Sequence, residues 1–232
     1  MGDLRPATGE FDAMSGLARF ATGLTAGRSC GPVAEVHWLD QVHGSFVVGA
    51  PPVGSRPGAV GHRTGGSVCV GAGDGLVAAS PEVAIAMLTA DCASIALASP
   101  EGVFAAVHAG WRGLVGGVIG QAAAAMRAEG ATDLSSALGP CIHAECYEFS
   151  PADLEEVVAV LGDGVRGQTS KGRPALDLPA AVSLALRADD IDQRPGVDAC
   201  TACGPGYFSH RARRDTGRQA LVVWTEADTG ER

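Results

Sequence analysis

The chain predicts a single mixed α+β domain with helices packed on sheets, and three observations carry that expectation. Short apolar runs of β-forming residues crowd the stretch from 34 to 109, and helix-period segments with clear end signals follow after 110. No internal repeat or long linker divides the chain, so both kinds of element belong to one layered unit spanning 1–232. With 232 residues, 46% of them hydrophobic, and a mean hydropathy of +0.15, the chain carries enough apolar surface for a substantial core.

Residues 1–33 are glycine-rich and weakly patterned. The first clear segment is AEVHWLDQVHGSFVVGA (34–50), where β-formers flank Gly44, and it reads as a hairpin or strand pair. Pro, Gly and Ser are too dense in 51–66 for an element interior, so this stretch is expected to be a loop. GDGLVAAS (73–80), VAIAMLTA (83–90), SIALAS (94–99) and VFAAVHA (103–109) read as strands, the last two joined by a turn at Pro100-Glu101-Gly102. Beyond Gly113, the residues Leu114, Val115, Val118, Ile119, Ala122 and Met126 follow one helical face, and Gly130 supplies the stop. A second helix is punctuated at both ends, by Ser150 and Pro151 at its start and by Gly162 after it; a third has Asp177 as its cap. VDACTAC (197–203) and ALVVWTE (220–226) read as strands bracketing a basic loop, YFSHRARRDTGR (207–218).

Net charge is −9 and the isoelectric point about 5.0, so phosphate-backbone binding has no global electrostatic support and nucleic acid is not an expected partner. Lys171 is the only lysine, a bias more typical of genome composition than of function. The first residues lack the basic start and apolar stretch of a signal peptide, and no apolar run approaches membrane-spanning length, so a cytoplasmic protein without membrane association is expected. Seven cysteines in a reducing compartment are then buried, metal-bound or reactive rather than paired in disulfides.

Cys92 follows one apolar run and His108 ends the next, so both can meet at one end of a sheet. Zn²⁺ accepts thiolate and imidazole together, and catalytic zinc keeps three protein ligands and an open fourth position. His43, followed by Gly44 and preceded by Gln41, is the best third donor, with Gln41 placed to orient the site or touch substrate. The alternative is that Cys92 is a small core residue and the histidines are merely hydrogen-bonded. Arg112, at the start of the helix-like segment beyond His108, offers a guanidinium fork beside helix amides for an anion, or a surface ion pair. Cys141, Cys146, Cys200 and Cys203 form a rival set, as a Cys₄ structural zinc site or a C-x-x-C redox pair, although the x4 spacing of the first two is atypical and CTAC lies in strand-like sequence.

The segments WLDQVHG (38–44), GDGLVA (73–78), TADC (89–92), VHAGWRG (107–113), LGPCIHAECYEF (138–149), LDL (176–178), DACT (198–201) and YFSHRARRDTGR (207–218) together resemble the laccase-domain family. Members of that family were once called multicopper polyphenol oxidoreductases and are now regarded as purine nucleoside-processing enzymes. The resemblance implies a layered α/β/β/α-type domain with zinc held by His43, Cys92 and His108. It also implies phosphorolysis of adenosine, inosine and methylthioadenosine, with side deamination of adenosine. Cys92, His108 and Arg112 are then the catalytic candidates, and Gln41, Asp74, Arg112 and Arg211 the candidates for binding nucleoside and phosphate.

Two departures qualify the match. Only about 37 residues precede WLDQVHG, so the family's N-terminal loop is expected to be shortened, with RFATGLTAGRSCG (19–31) as its degraded relic. The family prefers Ser-Tyr-Arg-Arg where this chain has Ser209-His210-Arg211-Ala212. Two alternatives follow: copper-dependent oxidation of polyphenols, for which the chain lacks the His-rich ligand sets several coppers need, and a catalytically weak zinc-binding accessory protein, which the short N-terminus motivates.

Overall fold

The computed structural model describes residues 34–55, 61–64 and 67–225, with no side-chain description for 62–64. The expectation for residues 1–33 therefore lies outside the described residues. The strands are β1 (Glu35–Asp40), β2 (Val47–Gly49), β3 (His62–Thr64), β4 (Ser67–Ala72), β5 (Gly75–Ala78), β6 (Val83–Thr89), β7 (Ala93–Ala98), β8 (Phe104–Ala109), β9 (Ser135–Leu138), β10 (Arg166–Gln168), β11 (Pro174–Leu176), β12 (Asp192–Gln193) and β13 (Gln219–Val223). They make a five-stranded sheet in the order β13-β6-β1-β4-β3, a six-stranded sheet in the order β12-β9-β7-β8-β5-β2, and a small β10-β11 ribbon.

The two large sheets pack face to face through Leu39, Leu76, Ile85, Met87, Phe104, Ala106 and Leu221. The other face of the six-stranded sheet, including Ile95, Leu97, Ala105 and Val107, is covered by helices. This double covering explains why β8 is buried at every position and reads as an unbroken apolar run instead of an alternating one. Among the described residues, the helices Val118–Ala128, Leu178–Ala188 and Trp111–Val115 lie on that sheet, and no helix is long and apolar enough to cross a membrane.

The helices are α1 (Trp111–Val115), α2 (Val118–Ala128), α3 (Pro151–Leu161), α4 (Leu178–Ala188) and α5 (His210–Arg213). The caps of α3 and α4 work as their sequences predict: Ser150 accepts from Asp153 N and Asp177 accepts from Ala180 N. The single helix expected after Gly113 is instead two, because the chain turns at Gly116 and Gly117, the latter at φ +76, a left-handed conformation glycine adopts without strain. Val118, Ile119, Ala122, Ala123 and Met126 form the buried face of α2.

Three other expectations need correction. The 34–50 segment is not a hairpin: β1 pairs with β4 and β6 in one sheet, whereas β2 pairs with β5 in the other. Residues 62–64 of the expected 51–66 loop form β3, antiparallel to β4. VDACTAC forms turns with one isolated bridge, Cys141 to Cys200, because its backbone bonds are divided: Val197 N donates to Leu138 O and Thr201 N to Cys141 O, while Ala199 N turns back to Val197 O and Gly204 N to Cys200 O, so no ladder runs on. The turn at 100–102 does join β7 to β8 as an antiparallel pair.

The topology itself creates a site. β6, β1 and β4 are adjacent and parallel, so their C-terminal ends lie along one edge. From that edge each crosses to the other sheet: β1 to β2 through residues 41–46, β4 to β5 through 73–74, and β6 to β7 through 90–92. β8 runs antiparallel to β5 and β7, so its C-terminus arrives at the same edge. The three crossings carry His43, Asp74 and Cys92, and the end of β8 carries His108.

Candidate functional site

His43, Cys92 and His108 converge at this edge with their ligating atoms all within 4.8 Å of one another. His108 shares its strand face with Phe104 and Ala106, which points it into the layer between the sheets where the crossings pass. The two imidazole rings meet edge to face with centroids 4.8 Å apart. His43 adopts φ +58 and Asp91, next to Cys92, φ +98; both are conformations that cost a non-glycine residue energy and are held here by surrounding contacts.

Asp74 is that holding group for the histidines. It is completely buried; its Oδ1 lies 2.7 Å from His108 Nδ1 and accepts from His43 N at 2.9 Å, while its Oδ2 accepts from Gly44 N at 2.7 Å. Burial alone would raise the Asp74 pKa, but these hydrogen bonds, that with His108 foremost, bring it below the usual carboxylate value. An ionised carboxylate can only accept, so the proton sits on His108 Nδ1 and its Nε2 faces the cluster. Asp74, expected to touch substrate, thus stands behind the histidines and orients them.

Cys92 is pulled in the same direction. Burial would raise its pKa, yet hydrogen bonding to His108 and His43 brings it down to about 7. For His108, burial would lower the pKa, but Asp74 and the Cys92 sulfur raise it to about 9. Both shifts favour a thiolate beside an imidazolium in the metal-free cluster. Two imidazoles and one thiolate, oriented by a carboxylate and leaving a face open to solvent, match the donor set of a three-ligand zinc site. The cluster is a possible metal centre on the chemistry of its donors.

The cluster opens into a cavity of about 600 Å³, within the size range of small-ligand sites. Gln41, Arg112 and Arg211 line it, as do Asp91, Trp111, Tyr147, His210 and Arg218. Gln41 is committed to the backbone: its Nε2 donates to Leu88 O at 2.9 Å and its Oε1 accepts from Leu88 N at 2.8 Å, which ties the first crossing to the end of β6. Arg112 is exposed and stacks on Trp111, its Cζ 4.3 Å from the ring centroid. The expected reinforcement of Arg112 by helix amides is slight, since α1 has only five residues. Arg211 stacks at 4.9 Å over Tyr147, donates through Nη1 to Glu148 O, and gives its backbone N–H to Asp91 Oδ2 at 2.6 Å.

Asp91, Tyr147, His210 and Arg218 were not singled out by sequence reasoning. Asp91 could have been found as the acid beside a ligand cysteine at a sheet crossing. Arg218 lay within a basic loop already noted, and α5 brings that loop to the cavity with Ser209 as its cap. The rival cysteine set is altered: Cys141 is core, 1% exposed, whereas Cys146, Cys200 and Cys203 gather with Glu145.

Comparison with known proteins agrees with this picture. A family model described as multi-copper polyphenol oxidoreductase laccase matches residues 22–226. A purine nucleoside phosphorylase of Streptomyces coelicolor is 38% identical over 197 residues, covering 83% of this chain and 76% of that protein. One of Mycobacterium tuberculosis is 37% identical over 198 residues, covering 84% and 74%. The crystal structure of a Neisseria meningitidis protein superposes with a TM-score of 0.70 at 27% identity, covering 84% of this chain and 76% of its own.

Proposed function

Because the chain belongs to the multi-copper polyphenol oxidoreductase laccase family, we propose that it is a metal-dependent purine nucleoside phosphorylase acting on adenosine, inosine and methylthioadenosine, with zinc as the metal. The observation that carries the reading is the juxtaposition of the His43, Cys92 and His108 donors with an arginine-lined cavity. Relatives named purine nucleoside phosphorylases, matched over about three quarters of their length, support the same substrate class.

His43, Cys92 and His108 would hold the ion, which would supply Lewis acidity for phosphorolysis and water activation for side deamination of adenosine. Arg112 and Arg211 bind the phosphate, whose oxygen takes the ribose C1′ as the bond to the purine nitrogen breaks, and the phosphate's own proton passes to the departing base. Asp74 fixes the tautomer and ring plane of His108. Trp111 and Tyr147 supply the flat apolar surface that a purine needs, and their polar neighbours Asp91 and His210 remain within the same cavity. Polyphenol oxidation by several coppers is disfavoured by the residues themselves: of the six histidines, two reach the cluster, and the described residues hold no second His-rich set. The unpaired thiols among the described residues suit a reducing, cytoplasmic setting.

The test is incubation of metal-quantified wild type and Cys92→Ala with adenosine, with and without phosphate. Adenine and ribose 1-phosphate should appear only with phosphate and only in the wild type, while inosine reports deamination. Absence of product from fully metal-loaded protein overturns the proposal and favours an accessory role; oxygen uptake with a phenol by copper-loaded protein alone favours oxidation.

A further inference from the structure

A second convergence of metal-ligating side chains lies outside the cavity and takes no part in the chemistry above. Glu145 and Cys146 sit on the 3-10 turn Ala144–Cys146, and Cys200 and Cys203 on the turns that replace the expected strand at 197–203. Their four ligating atoms all lie within 4.8 Å of one another. In a tetrahedral zinc site with Zn–S bonds of about 2.3 Å, sulfurs stand roughly 3.8 Å apart, so small side-chain rotations complete the sphere.

Core packing accounts for only part of this group. Cys200 is buried in the core and Cys146 packs against it, but Glu145 and Cys203 are exposed, whereas cysteines serving only as small apolar residues are enclosed, as Cys69 and Cys141 are. The local backbone is arranged around sulfur. His143 N donates to Cys200 Sγ at 3.4 Å, and Cys203 lies 3.6 Å from Glu145 Oε1. Gly204 closes the C-x-x-C turn so tightly that a Cβ there would run into the Cys200 carbonyl. Two ligands from each of two segments more than fifty residues apart is the arrangement of a structural cross-link.

We propose that Glu145, Cys146, Cys200 and Cys203 form a structural site for Zn²⁺, closed by four protein ligands and distinct from the open cluster at His43, Cys92 and His108. Its place in the fold gives it a task. Thr201, between the two C-x-x-C cysteines, donates to Asp91 Oδ1 at 2.7 Å, and Ile142 N donates to Asp91 O at 2.8 Å. Arg213 donates to the carbonyls of Thr201 and Ala202, linking the turn to α5. The clamped segments therefore grip Asp91, held at φ +98 beside Cys92, and the end of the arginine-bearing α5. The inference stands whether or not the chain turns over nucleosides.

The experiment uses full-length Cys92→Ala, in which the first cluster is disabled, purified under reducing conditions and dialysed against Zn²⁺ and then buffer. It should retain one zinc per chain, and the added change Cys203→Ser, at an exposed position, should reduce that to none. Loading with Co²⁺ should give a thiolate-to-cobalt absorption band in Cys92→Ala that Cys203→Ser abolishes. Wild type should bind two metals and Cys203→Ser alone one. The proposal is overturned if Cys92→Ala binds no metal while its thiols titrate freely, or if its mass is lower by two hydrogens through a disulfide among Cys146, Cys200 and Cys203. Retention of the same stoichiometry and cobalt band by Cys203→Ser overturns it as well.

Discussion

Replacing Asp74 by asparagine tests the claim that a buried carboxylate sets the chemistry of the histidines. Asparagine has the same shape, but one of its two acceptors becomes a donor. The three hydrogen bonds at 2.7, 2.9 and 2.7 Å decide the outcome. If the amide oxygen faces His108 Nδ1 and His43 N, its NH₂ points at Gly44 N–H, and two donors oppose each other in a fully buried place. The flipped amide is worse, since it meets His43 N–H with a donor and forces the His108 proton onto Nε2, where a metal must bind. Losing charge assistance at His108 costs about 1 kcal/mol, and leaving the Gly44 donor unpaired adds about 1–3 kcal/mol, so the metal-free protein should lose roughly 2–4 kcal/mol in urea unfolding. Metal affinity, measured by chelator competition, should fall roughly 10–100-fold.

The same change has a pH signature in the metal-free protein. Cys92 is depressed from 9.0 to about 7, so its contribution to stability is complete above 9 and is lost as pH falls through about 7. His108 is raised from 6.5 to about 9, so its contribution is complete below 6.5 and is lost as pH rises through about 9. Both groups are charged between those limits. Alkylation of Cys92 in metal-free wild type should therefore accelerate through an inflection near about 7. In Asp74→Asn, with less to hold the imidazolium, the inflection should move up. An asparagine variant with wild-type metal affinity and an unmoved inflection would refute the role given to Asp74.

Two further perturbations probe separate parts of the site. Gly113→Ala puts a Cβ 2.8 Å from the Gly44 carbonyl, a backbone atom that cannot rotate away; the His43 crossing should shift, with a loss of roughly 1–3 kcal/mol in stability and a lower metal content by elemental analysis. Arg112→Ala removes a cavity-lining guanidinium stacked on Trp111 without touching a donor of the cluster. Metal content should stay at the wild-type level while the phosphate KM rises at least tenfold, and unchanged phosphate dependence would remove Arg112 from anion binding.

How much of this was legible in the sequence depended on the range over which each signal acts. Ser150 with Pro151, and Asp177, mark helix starts through bonds three residues long, so α3 and α4 could be read locally. The turn at 100–102 joins neighbouring strands and was equally plain. Which sheet a strand enters is settled by partners far along the chain, and so the segment around Gly44 looked like a hairpin when it is a crossing between sheets. That misreading concealed the principle of the site. A turn within one sheet would return His43 beside its own strand, whereas a crossing carries it over the end of the sandwich, where two other crossings deliver Asp74 and Cys92. The spacing of Cys92 and His108 showed that they could share an edge, and the pairing of Ser94 with His108 bears this out. Asp74 was assigned to substrate binding because its partners, the His108 ring and backbone N–H groups thirty residues away, leave no local mark in the sequence. The cysteine cluster was missed in the opposite sense. Four cysteines suggested a Cys₄ set, but the apolar layer took Cys141, and the 3-10 turn brought Glu145 into its place. Donor type is thus readable from the sequence, while the choice of which donors meet belongs to the packing of the two sheets and the turns at their ends.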